Sequence, residues 1–474
     1  MHTKLSCTLI ALLAASLFSS ALAQGDDYGL AWQRSLPGLS GIAVISTSDG
    51  GYLALGEDAS YNSNTSEFYG AHPVVAKTNG DGNIVWSKTV DYEVGGPRTR
   101  LSQLVEVNGG YILGGVVDSG QYPSSPHFCL IKISDAGGVV WKTLGTFERS
   151  ENYFQAGALT PTSEGGCLLV GSFYESTPSI PFIVITKVFS NGQLEYSKTL
   201  PLDNQIFPWH SGSVSWTTQT SDGGFLLLNN QGQSHPISPS TTSLMKIDQS
   251  GIIQWTQNYG GAGNYYHTRG ACAIVLSDGY LIGGMAAPDG SWSGGMVIRT
   301  DLEGNMLWNR TYTSTNLIYS VLNSTQGGFL LLGAGMEPDD SKTSHIWLWQ
   351  TDAAGEFQTQ RDLLTVNPYM FSGLSQLAPT GDGGAVFTGS FLYERSQEIS
   401  GSTSAADKFW IAKVSVSGHG AALGDFSFPA LKVAIVAGIA VATVLAVLAA
   451  RQHKFGKKHL HKHEIATRAA LSHN

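Results

Sequence analysis

The sequence predicts an all-β protein in which seven four-stranded antiparallel sheets form a closed ring, followed by one C-terminal transmembrane helix. Three observations lead to this prediction. A Gly turn followed by an apolar strand recurs seven times, and successive copies are roughly 50 to 60 residues apart, a period typical of propellers and solenoids. The first repeat is preceded by one extra strand, and the last repeat lacks one. A long apolar stretch lies near the C-terminus. The predicted architecture is a seven-bladed β-propeller with a membrane helix.

The recurring turn places one or two Gly residues directly before an apolar strand. In the fourth copy, for example, Gly223 and Gly224 precede the run 225–228. Asp recurs before the Gly, which indicates a structural turn residue, because a catalytic acid is more often unique in a chain. These residues are Asp49, Asp222, Asp278 and Asp382. The seven turns are residues 49–52, 108–111, 164–167, 222–225, 278–280, 326–329 and 382–385.

Each repeat contains four short apolar runs, which is the number of strands in a propeller blade. In the first repeat they are residues 42–47, 52–56, 74–78 and 84–89. The runs are rich in Val, Ile, Leu and aromatic residues and are bounded by Gly, Asn or Asp, as strands are. The turns between runs one and two, and between runs three and four, are short and contain Gly, as β-hairpins require.

An aromatic residue follows the second Gly turn of the repeat, in the fourth run. In the sixth repeat the equivalent position is Thr359 instead of an aromatic residue, with Phe357 close by. The aromatic copies are Trp86, Trp141, Tyr196, Trp255 and Trp308.

The two ends of the chain predict how the ring closes. Seven turns supply the first two strands, and seven runs supply the third strand, the last at residues 409–416. Only six repeats have a fourth strand of their own. The segment 29–34 resembles the fourth strand at 251–255 and belongs to no preceding repeat. We therefore expect the N-terminal strand, with Trp32, to complete the last blade and remove the exposed edges of an open array.

The third and fourth runs are joined by a recurring Lys-Thr-Asp/Asn…Gly…Trp pattern. One copy runs from Arg299-Thr300-Asp301 through Gly304 to Trp308. This pattern, together with the Asp-Gly-Gly turn, resembles the repeats of membrane-anchored surface β-propeller proteins of archaea and bacteria. The resemblance covers nearly all of the predicted exported region. It implies the fold and leaves the activity open, because propellers support many unrelated activities.

Composition restricts the protein class and its partners. The chain has 474 residues, 42% hydrophobic and 13% charged, with 57 Gly, as expected for an exported all-β protein rather than a disordered one. Residues 24–428 contain 19 of the 27 Lys and Arg residues and 35 of the 36 Asp and Glu residues, a net charge of −16. This acidity argues against nucleic acid as a partner of the propeller.

The remaining segments predict a single-pass protein of the cell membrane. Residues 1–23 have the apolar core and Ala-x-Ala cleavage site of a signal peptide, and the propeller occupies residues 24–417. Residues 418–428 form a tether. Residues 429–450 are apolar apart from one Lys and long enough to span a bilayer, so lipid is the expected partner of this helix. The tail 451–474 is basic and His-rich, which predicts a cytoplasmic tail and an extracellular propeller.

Strand direction predicts an orientation relative to the membrane. The third strand of a blade ends on the face that carries the short turns. Because the last third strand leads into the tether, the short-turn face is expected to look at the membrane, and the opposite face to look away from it.

The face opposite the short turns collects long connections with many aromatic residues. Aromatic residues in long loops on a rigid scaffold are typical of recognition surfaces, although such residues also pack loops onto blades. The connections are residues 57–72, 91–100, 145–155, 200–212, 230–242, 259–270, 336–344 and 392–407. The candidate ligand-binding residues are Tyr69, Tyr153, Phe154, Trp209, His210, Tyr265, Tyr266 and His267.

Metal and cofactor sites are not predicted. The His residues of the tail lack Cys or carboxylate partners at a defined spacing, and a basic segment beside a membrane more simply suggests contact with anionic lipid. Cys129, Cys167 and Cys272 fall in strands of different blades, which favours small buried residues over a disulfide. Among the Asn-x-Ser/Thr sequons, Asn64 is the best glycosylation candidate because it lies in a long loop, whereas Asn309 and Asn323 lie beside strands.

The chain matches the sequence motifs of known propeller enzymes poorly. Sialidase-type propellers carry Ser-x-Asp-x-Gly-x-x-Trp boxes, whereas here Asp301, Gly304 and Trp308 have a different spacing. Quinoprotein dehydrogenases share the Gly-x-x-x-Trp turn, but this chain has no adjacent Cys pair, and seven blades are counted rather than eight. His210 and His267 are the loop histidines that suggest catalysis, and neither has a partner visible in the sequence.

Three functions therefore stay open at the level of sequence. The first is a membrane-anchored, non-catalytic binding module whose aromatic face recognises a glycan or a surface protein. The second is a hydrolase or a quinoprotein-like oxidoreductase with its site at the mouth of the central channel. The third is a structural component of the cell envelope.

Overall fold

The chain divides into two compact units, Met1–Gly420 and Ala421–Asn474. The computed structural model describes parts of the first unit only. Among the described residues, no helix is long and apolar enough to cross a membrane. The predicted signal peptide, tether, membrane helix and tail lie outside the described residues. The described residues are 29–38, 40–62, 67–91, 98–118, 127–145, 153–174, 181–201, 211–232, 240–260, 267–287, 294–312, 317–324, 327–337, 340–366, 371–374, 378–382, 384–391 and 408–415.

The described strands form seven antiparallel sheets, one per blade. Strand β1 (Gly29–Ser35) precedes blade 1. Blade 1 contains β2 (Ser40–Ser46), β3 (Tyr52–Asn62), β4 (Glu67–Thr78) and β5 (Ile84–Thr89). Blade 2 contains β6 (Arg98–Val107), β7 (Gly110–Asp118), β8 (His127–Ile133) and β9 (Val139–Gly145). Blade 3 contains β10 (Tyr153–Pro161), β11 (Cys167–Tyr174), β12 (Pro181–Val188) and β13 (Leu194–Pro201).

The later blades repeat the same order. Blade 4 contains β14 (Ser211–Gln219), β15 (Phe225–Gly232), β16 (Thr241–Ile247) and β17 (Ile253–Gly260). Blade 5 contains β18 (His267–Leu276), β19 (Gly279–Ala287), β20 (Gly294–Thr300) and β21 (Met306–Tyr312). Blade 6 contains β22 (Leu317–Asn323), β23 (Phe329–Glu337), β24 (Asp340–Thr351) and β25 (Phe357–Val366). Blade 7 contains β26 (Phe371–Leu374), β27 (Ala378–Pro379), β28 (Ala385–Phe391) and β29 (Lys408–Ser415).

The N-terminal strand completes the last blade, as predicted. β1 pairs antiparallel with β29, and Trp32 lies opposite Lys413. The third and fourth strands of blade 7 therefore come from opposite ends of the chain, and no hairpin joins them. The prediction of a seven-bladed propeller with four-stranded antiparallel blades is confirmed.

The hydrophobic core is divided among the spaces between blades. Each of seven clusters of buried side chains joins two neighbouring blades. One of them joins blade 7 to blade 1 through Val386, Phe409 and Ile411 on one side and Val44 and Ala54 on the other. Because every blade shares apolar surface with both neighbours, the ring is closed by packing as well as by strand pairing.

Two β-bulges recur around the ring. Every innermost strand carries one, for example at Ser102 between Leu101 and Gln103. Every outermost strand carries another, for example at Val85, one residue before Trp86. A bulge inserts one residue into one strand and shifts the side chains that follow relative to the partner strand. The second bulge places the outer aromatic residue opposite the basic residue of the third strand, as in the Trp86–Lys77 pair.

Two predicted long loops are largely strand. In blade 1 the predicted loop 57–72 continues β3 and β4 beyond the sheet, with Tyr61 opposite Phe68. In blade 6 the predicted loop 336–344 likewise extends β23 and β24. Tyr and Phe favour extended structure, and continued pairing satisfies the backbone N–H and C=O groups. The prediction of long loops between the second and third strands was wrong in these two places for that reason.

The three cysteines of the described region are free and buried, as predicted. Burial raises the pKa of the Cys129 thiol to about 12. Burial also raises the pKa of Cys272 to about 12 and raises that of Cys167. These residues act as small apolar side chains in the blades.

Candidate functional site: the long-loop end of the central channel

The recurring turn acids have a structural role. In blade 4 the Nζ atom of Lys246 donates to both carboxylate oxygens of Asp222 at 2.8 Å. The Lys77–Asp49 pair of blade 1 has a separation of 2.8 Å, and in both pairs the lysine is buried. A buried ammonium group requires such a partner. The same base-to-acid pairing occurs in Lys187–Glu164, Arg299–Asp278 and Lys413–Asp382.

The ion pairs make stability depend on acid pH. Hydrogen bonds from Lys246 and Thr220 lower the pKa of Asp222 from 3.8 to about 2. A lowered folded-state pKa means that the pair stabilises the protein above about pH 4, and that this stabilisation is lost as the pH falls towards 2. We expect Asp222→Asn to lower the urea midpoint at pH 7 and the difference from wild type to shrink towards pH 2. An equal difference at both pH values would contradict this role.

The outer aromatic residues join each blade to the next. The indole Nε1 of Trp86 donates to the Asp135 carbonyl oxygen at 2.9 Å, and Trp141 donates in the same way to Ser190 at 3.0 Å. The Trp86 ring covers Gly137, which has a φ of 74°. A Cβ atom there would lie 2.9 Å from the ring, so the turn requires Gly for its conformation and for this contact.

Blade 6 lacks this aromatic residue for a structural reason. Thr359 lies opposite Gln350, at the place where the other blades have Trp or Tyr opposite Lys or Arg. The outer aromatic residue normally packs on the turn between strands three and four of the next blade. Blade 7 has no such turn, because its third and fourth strands come from opposite chain ends. Position 359 of blade 6, which lacks the aromatic residue, is therefore the position whose neighbouring blade has no such turn to cover.

The innermost strands bring the candidate residues to one end of the channel. Each runs from the long-loop face towards the short turns, so its first residues surround the channel mouth on the long-loop side. Aligned on the bulge, Arg98, Tyr153, Ser211 and His267 lie at the same level, in blades 2, 3, 4 and 5. Two of the predicted residues, Tyr153 and His267, thus belong to one ring of positions, and Phe154 follows Tyr153.

Buried hydrogen bonds fix the segment that carries His267. The Oγ1 atom of Thr268 donates to the Tyr259 carbonyl oxygen at 2.6 Å and accepts from the Thr242 N–H at 3.0 Å. The Gly270 N–H donates to the Asn230 side-chain oxygen at 2.7 Å. These bonds link β18 of blade 5 to three strands of blade 4, β15, β16 and β17. The start of β18 is therefore held by a fully buried polar network.

Two arginines at this end were missed by the sequence analysis. Arg100 and Arg269 lie two residues before the bulge in blades 2 and 5, and both are exposed. Both lie within predicted long connections, 91–100 and 259–270. Aligning the first strands would have revealed them, because Thr99-Arg100 and Thr268-Arg269 have the same dipeptide.

Of the other candidate ligand-binding residues, Tyr69 alone belongs to the described part of the chain. Tyr69 lies in β4, opposite Ser60, on the blade 1 hairpin. Trp209, His210, Tyr265, Tyr266 and the sequon residue Asn64 lie outside the described residues. Asn309 and Asn323, predicted to lie beside strands, lie within the outer strand β21 and at the end of the inner strand β22, respectively.

The remaining His and acid contacts lie away from the channel. His72 and Asp91 approach within 3.0 Å, and His345 and Asp362 within 2.7 Å. His72 lies in the third strand of blade 1, and Asp91 follows the fourth strand of that blade. His345 and Asp362 lie in the third and fourth strands of blade 6. Within the described part of the chain, no group of three or more His, Cys, Asp or Glu residues is arranged to hold a metal ion.

Known proteins are similar to this chain only at low sequence identity, and these similarities carry no argument about its fold. No protein-family model and no curated protein matches the chain. The Pan2 WD40 domain of Neurospora crassa is 11% identical, with a TM-score of 0.44, over 82% of this chain and 96% of that domain. The polysaccharide lyase Uly1 is 8% identical, with a TM-score of 0.46, over 81% and 91% of the two chains. A Dyadobacter fermentans protein of unknown function is 8% identical, with a TM-score of 0.44, over 83% and 98%. These values carry no argument about activity.

Proposed function

We propose that this protein is a membrane-anchored, extracellular recognition module that binds a glycan or a surface protein at the long-loop end of its central channel. The observation that carries the proposal is the position of Tyr153 and His267 at one level of the innermost strands. The turn acids and outer aromatic residues, by contrast, take part in contacts within and between blades. The candidate residues at the channel mouth are therefore the ones we propose for ligand binding.

The exit of the chain supports the proposed orientation. Val414 lies opposite Ala385, the first residue after the short turn of blade 7, so β29 ends on the short-turn face. The apolar stretch 429–450 follows 14 residues after Ser415. The tail 451–474 is then cytoplasmic.

Ligand binding by the full chain in neutral detergent tests this function. We expect binding to a subset of an array of neutral and acidic glycans, or to an intact cell surface, and loss of that binding in Tyr153→Ala and His267→Ala. Trp209→Ala tests the predicted loop aromatic. Phe357→Ala is the matched control, because this exposed aromatic residue lies at the start of an outer strand near the short turns.

Two outcomes would contradict the proposal. Equal loss of binding in Phe357→Ala and His267→Ala would show a non-specific hydrophobic contact. Turnover of the bound molecule, abolished by His267→Ala, would instead establish the alternative of an enzyme at the channel mouth.

A further inference from the structure

We propose that the outer groove between blades 2 and 3 binds a small organic carboxylate through the buried side chain of Lys132. The site lies near the short turns and is independent of the proposed function at the channel mouth. Three observations carry the inference: the base–acid pair is a repeated unit, blade 2 has only the base of that unit, and the acids around this base face other blades.

The first observation is that the base of the third strand and the acid of the short turn occur together. Blades 1, 3, 4, 5 and 7 each contain the pair, as in Lys246–Asp222. Blade 6 has neither member, since Gln350 stands at the place of the base and Gln326 lies in the turn. A buried cation without an anion is costly, whereas a pair of uncharged residues is not, so the two members are expected to be present or absent together.

The second observation is that blade 2 has the base without the acid. Lys132 lies opposite Trp141, in the register of the other bases, and 9% of the residue is exposed. The turn before it consists of Asn108 and Gly109, which are uncharged. Within the described residues, Lys132 Nζ donates to the Asn108 carbonyl oxygen at 3.1 Å and forms no ion pair. An ammonium group has several N–H donors, so this one has donors left for a further acceptor.

The facing turn of blade 3 supplies no acid either. Trp141 donates to the Ser190 carbonyl oxygen at 3.0 Å, so the groove is bordered on the blade 3 side by the turn 189–193. This turn reads Phe-Ser-Asn-Gly-Gln, whereas the corresponding turns of blades 1, 2, 4, 5 and 6 each contain an Asp. Neither the short turn of blade 2 nor the facing turn of blade 3 therefore provides a carboxylate for Lys132.

The third observation is where the neighbouring acids lie. Glu106 accepts a hydrogen bond from the Ser48 N–H of blade 1 at 2.9 Å. Asp135 is exposed, and its turn is covered by Trp86 of blade 1. Burial raises the pKa of Tyr111, which packs against blade 1, and the charges of Glu106 and Asp135 add to that rise. Both carboxylates of blade 2 therefore act on the side that faces blade 1.

The nearest acids of blade 3 are paired with another base. Glu164 and Glu195 lie 3.3 and 3.0 Å from the Nζ atom of Lys187. Lys187 lies opposite Tyr196, which donates to a carbonyl oxygen in a turn of blade 4, so this group faces the next groove of the ring. The charge of Lys132 is therefore left for an anion from solution to balance.

The repeated pairs indicate which anion fits beside Lys132. In the lysine pairs of the other blades the anion is a carboxylate, at 2.7 Å in Lys413–Asp382 and 3.3 Å in Lys187–Glu164. The third strand of blade 2 has the same register relative to its outer strand, so a carboxylate from solution fits the same place. A charge-assisted hydrogen bond from the ammonium group would hold it there.

The groove also offers apolar surface beside the ammonium group. Between blades 1 and 2 the equivalent groove is a cavity of about 470 Å³, lined by Val85 and Trp86 next to Lys77. The corresponding residues of blade 2 are Val140, which is 56% exposed, and Trp141. A short alkyl chain packs against such side chains, which favours an organic acid over an inorganic anion.

Ligand-observed NMR with the full chain in neutral detergent tests the inference. The probes are butyrate, its neutral isostere butyramide and inorganic phosphate. We expect butyrate to bind and butyramide not to bind, and Lys132→Gln to weaken butyrate binding about tenfold, as loss of a charge-assisted contact does. Lys88→Gln is the matched control, because Lys88 also donates to a turn carbonyl oxygen in an outer groove, at 2.8 Å, but is exposed.

A second variant separates loss of binding from loss of fold. Asn108→Asp adds a carboxylate to the turn without added bulk, and this carboxylate should compete with butyrate for Lys132. We expect the variant to lose butyrate binding and to melt at a higher temperature than wild type, because the ammonium group gains an anion within the chain. Butyrate should raise the melting temperature of wild type and leave that of Asn108→Asp unchanged.

Four results would overturn the inference. They are absence of butyrate binding by wild type, butyrate binding that survives Lys132→Gln or Asn108→Asp, equal weakening by Lys88→Gln, and displacement of butyrate by an equal concentration of phosphate. The last result would mean that the groove takes inorganic anions without regard to the carbon chain. None of these results bears on binding at the channel mouth, which His267→Ala tests separately.

Discussion

Deleting residues 29–35 is expected to abolish cooperative folding of the ring. The deletion removes the partner of β29 and leaves the edge of that strand unpaired beside the buried side chains of Phe409 and Ile411. It also removes Trp32, whose ring covers Gly82 of blade 1 and lies 5.7 Å from the ring of Tyr52. The expected loss is comparable with the whole stability of a typical domain, about 5–15 kcal/mol.

Urea unfolding and light scattering check this expectation. The deleted protein should aggregate or unfold without a sharp transition, because an exposed sheet edge pairs with other chains. A synthetic peptide of residues 24–38 added during refolding should restore a transition, and a scrambled peptide should not. A deleted protein with the urea midpoint of wild type would refute closure by β1 as a source of stability.

Gly115→Ala is expected to destabilise the protein by about 3 kcal/mol, as overpacking of a well-packed region does. The new Cβ atom would lie 2.0 Å from the Arg100 carbonyl oxygen, so the backbone of β6 or β7 must move. Because the clash involves backbone rather than the end of a flexible side chain, a side-chain movement cannot relieve it. The displacement also moves Arg100 at the channel mouth.

Chemical unfolding at pH 7 measures this effect against a matched substitution. Gly381 has no heavy atom within 4 Å of an added Cβ, and Gly381→Ala should change stability by less than about 0.5 kcal/mol. Equal effects of the two substitutions would show that the close approach of β7 to β6 is not maintained in solution.

The sequence alone predicted features that arise within one repeat. The Gly turns, the four strands and the outer aromatic residue are local, because a tight turn requires Gly at a positive φ and a strand requires β-favouring residues. Seven copies of that pattern with one displaced strand also determined the ring closure confirmed by the β1–β29 pairing. The structural role of Asp49 and Asp222 followed from their repetition, and their lysine partners agree with it.

Tertiary structure decided which residues share the channel mouth. Arg100 and Arg269 are far apart in sequence, and their common level depends on a bulge in each innermost strand and on the placement of blades around the ring. Neither is visible from local pattern, because a bulge changes which residues face one another across two strands. Likewise, residues 57–62 and 67–72 have the polar composition of a loop but pair as strands, since pairing with each other satisfies their backbone.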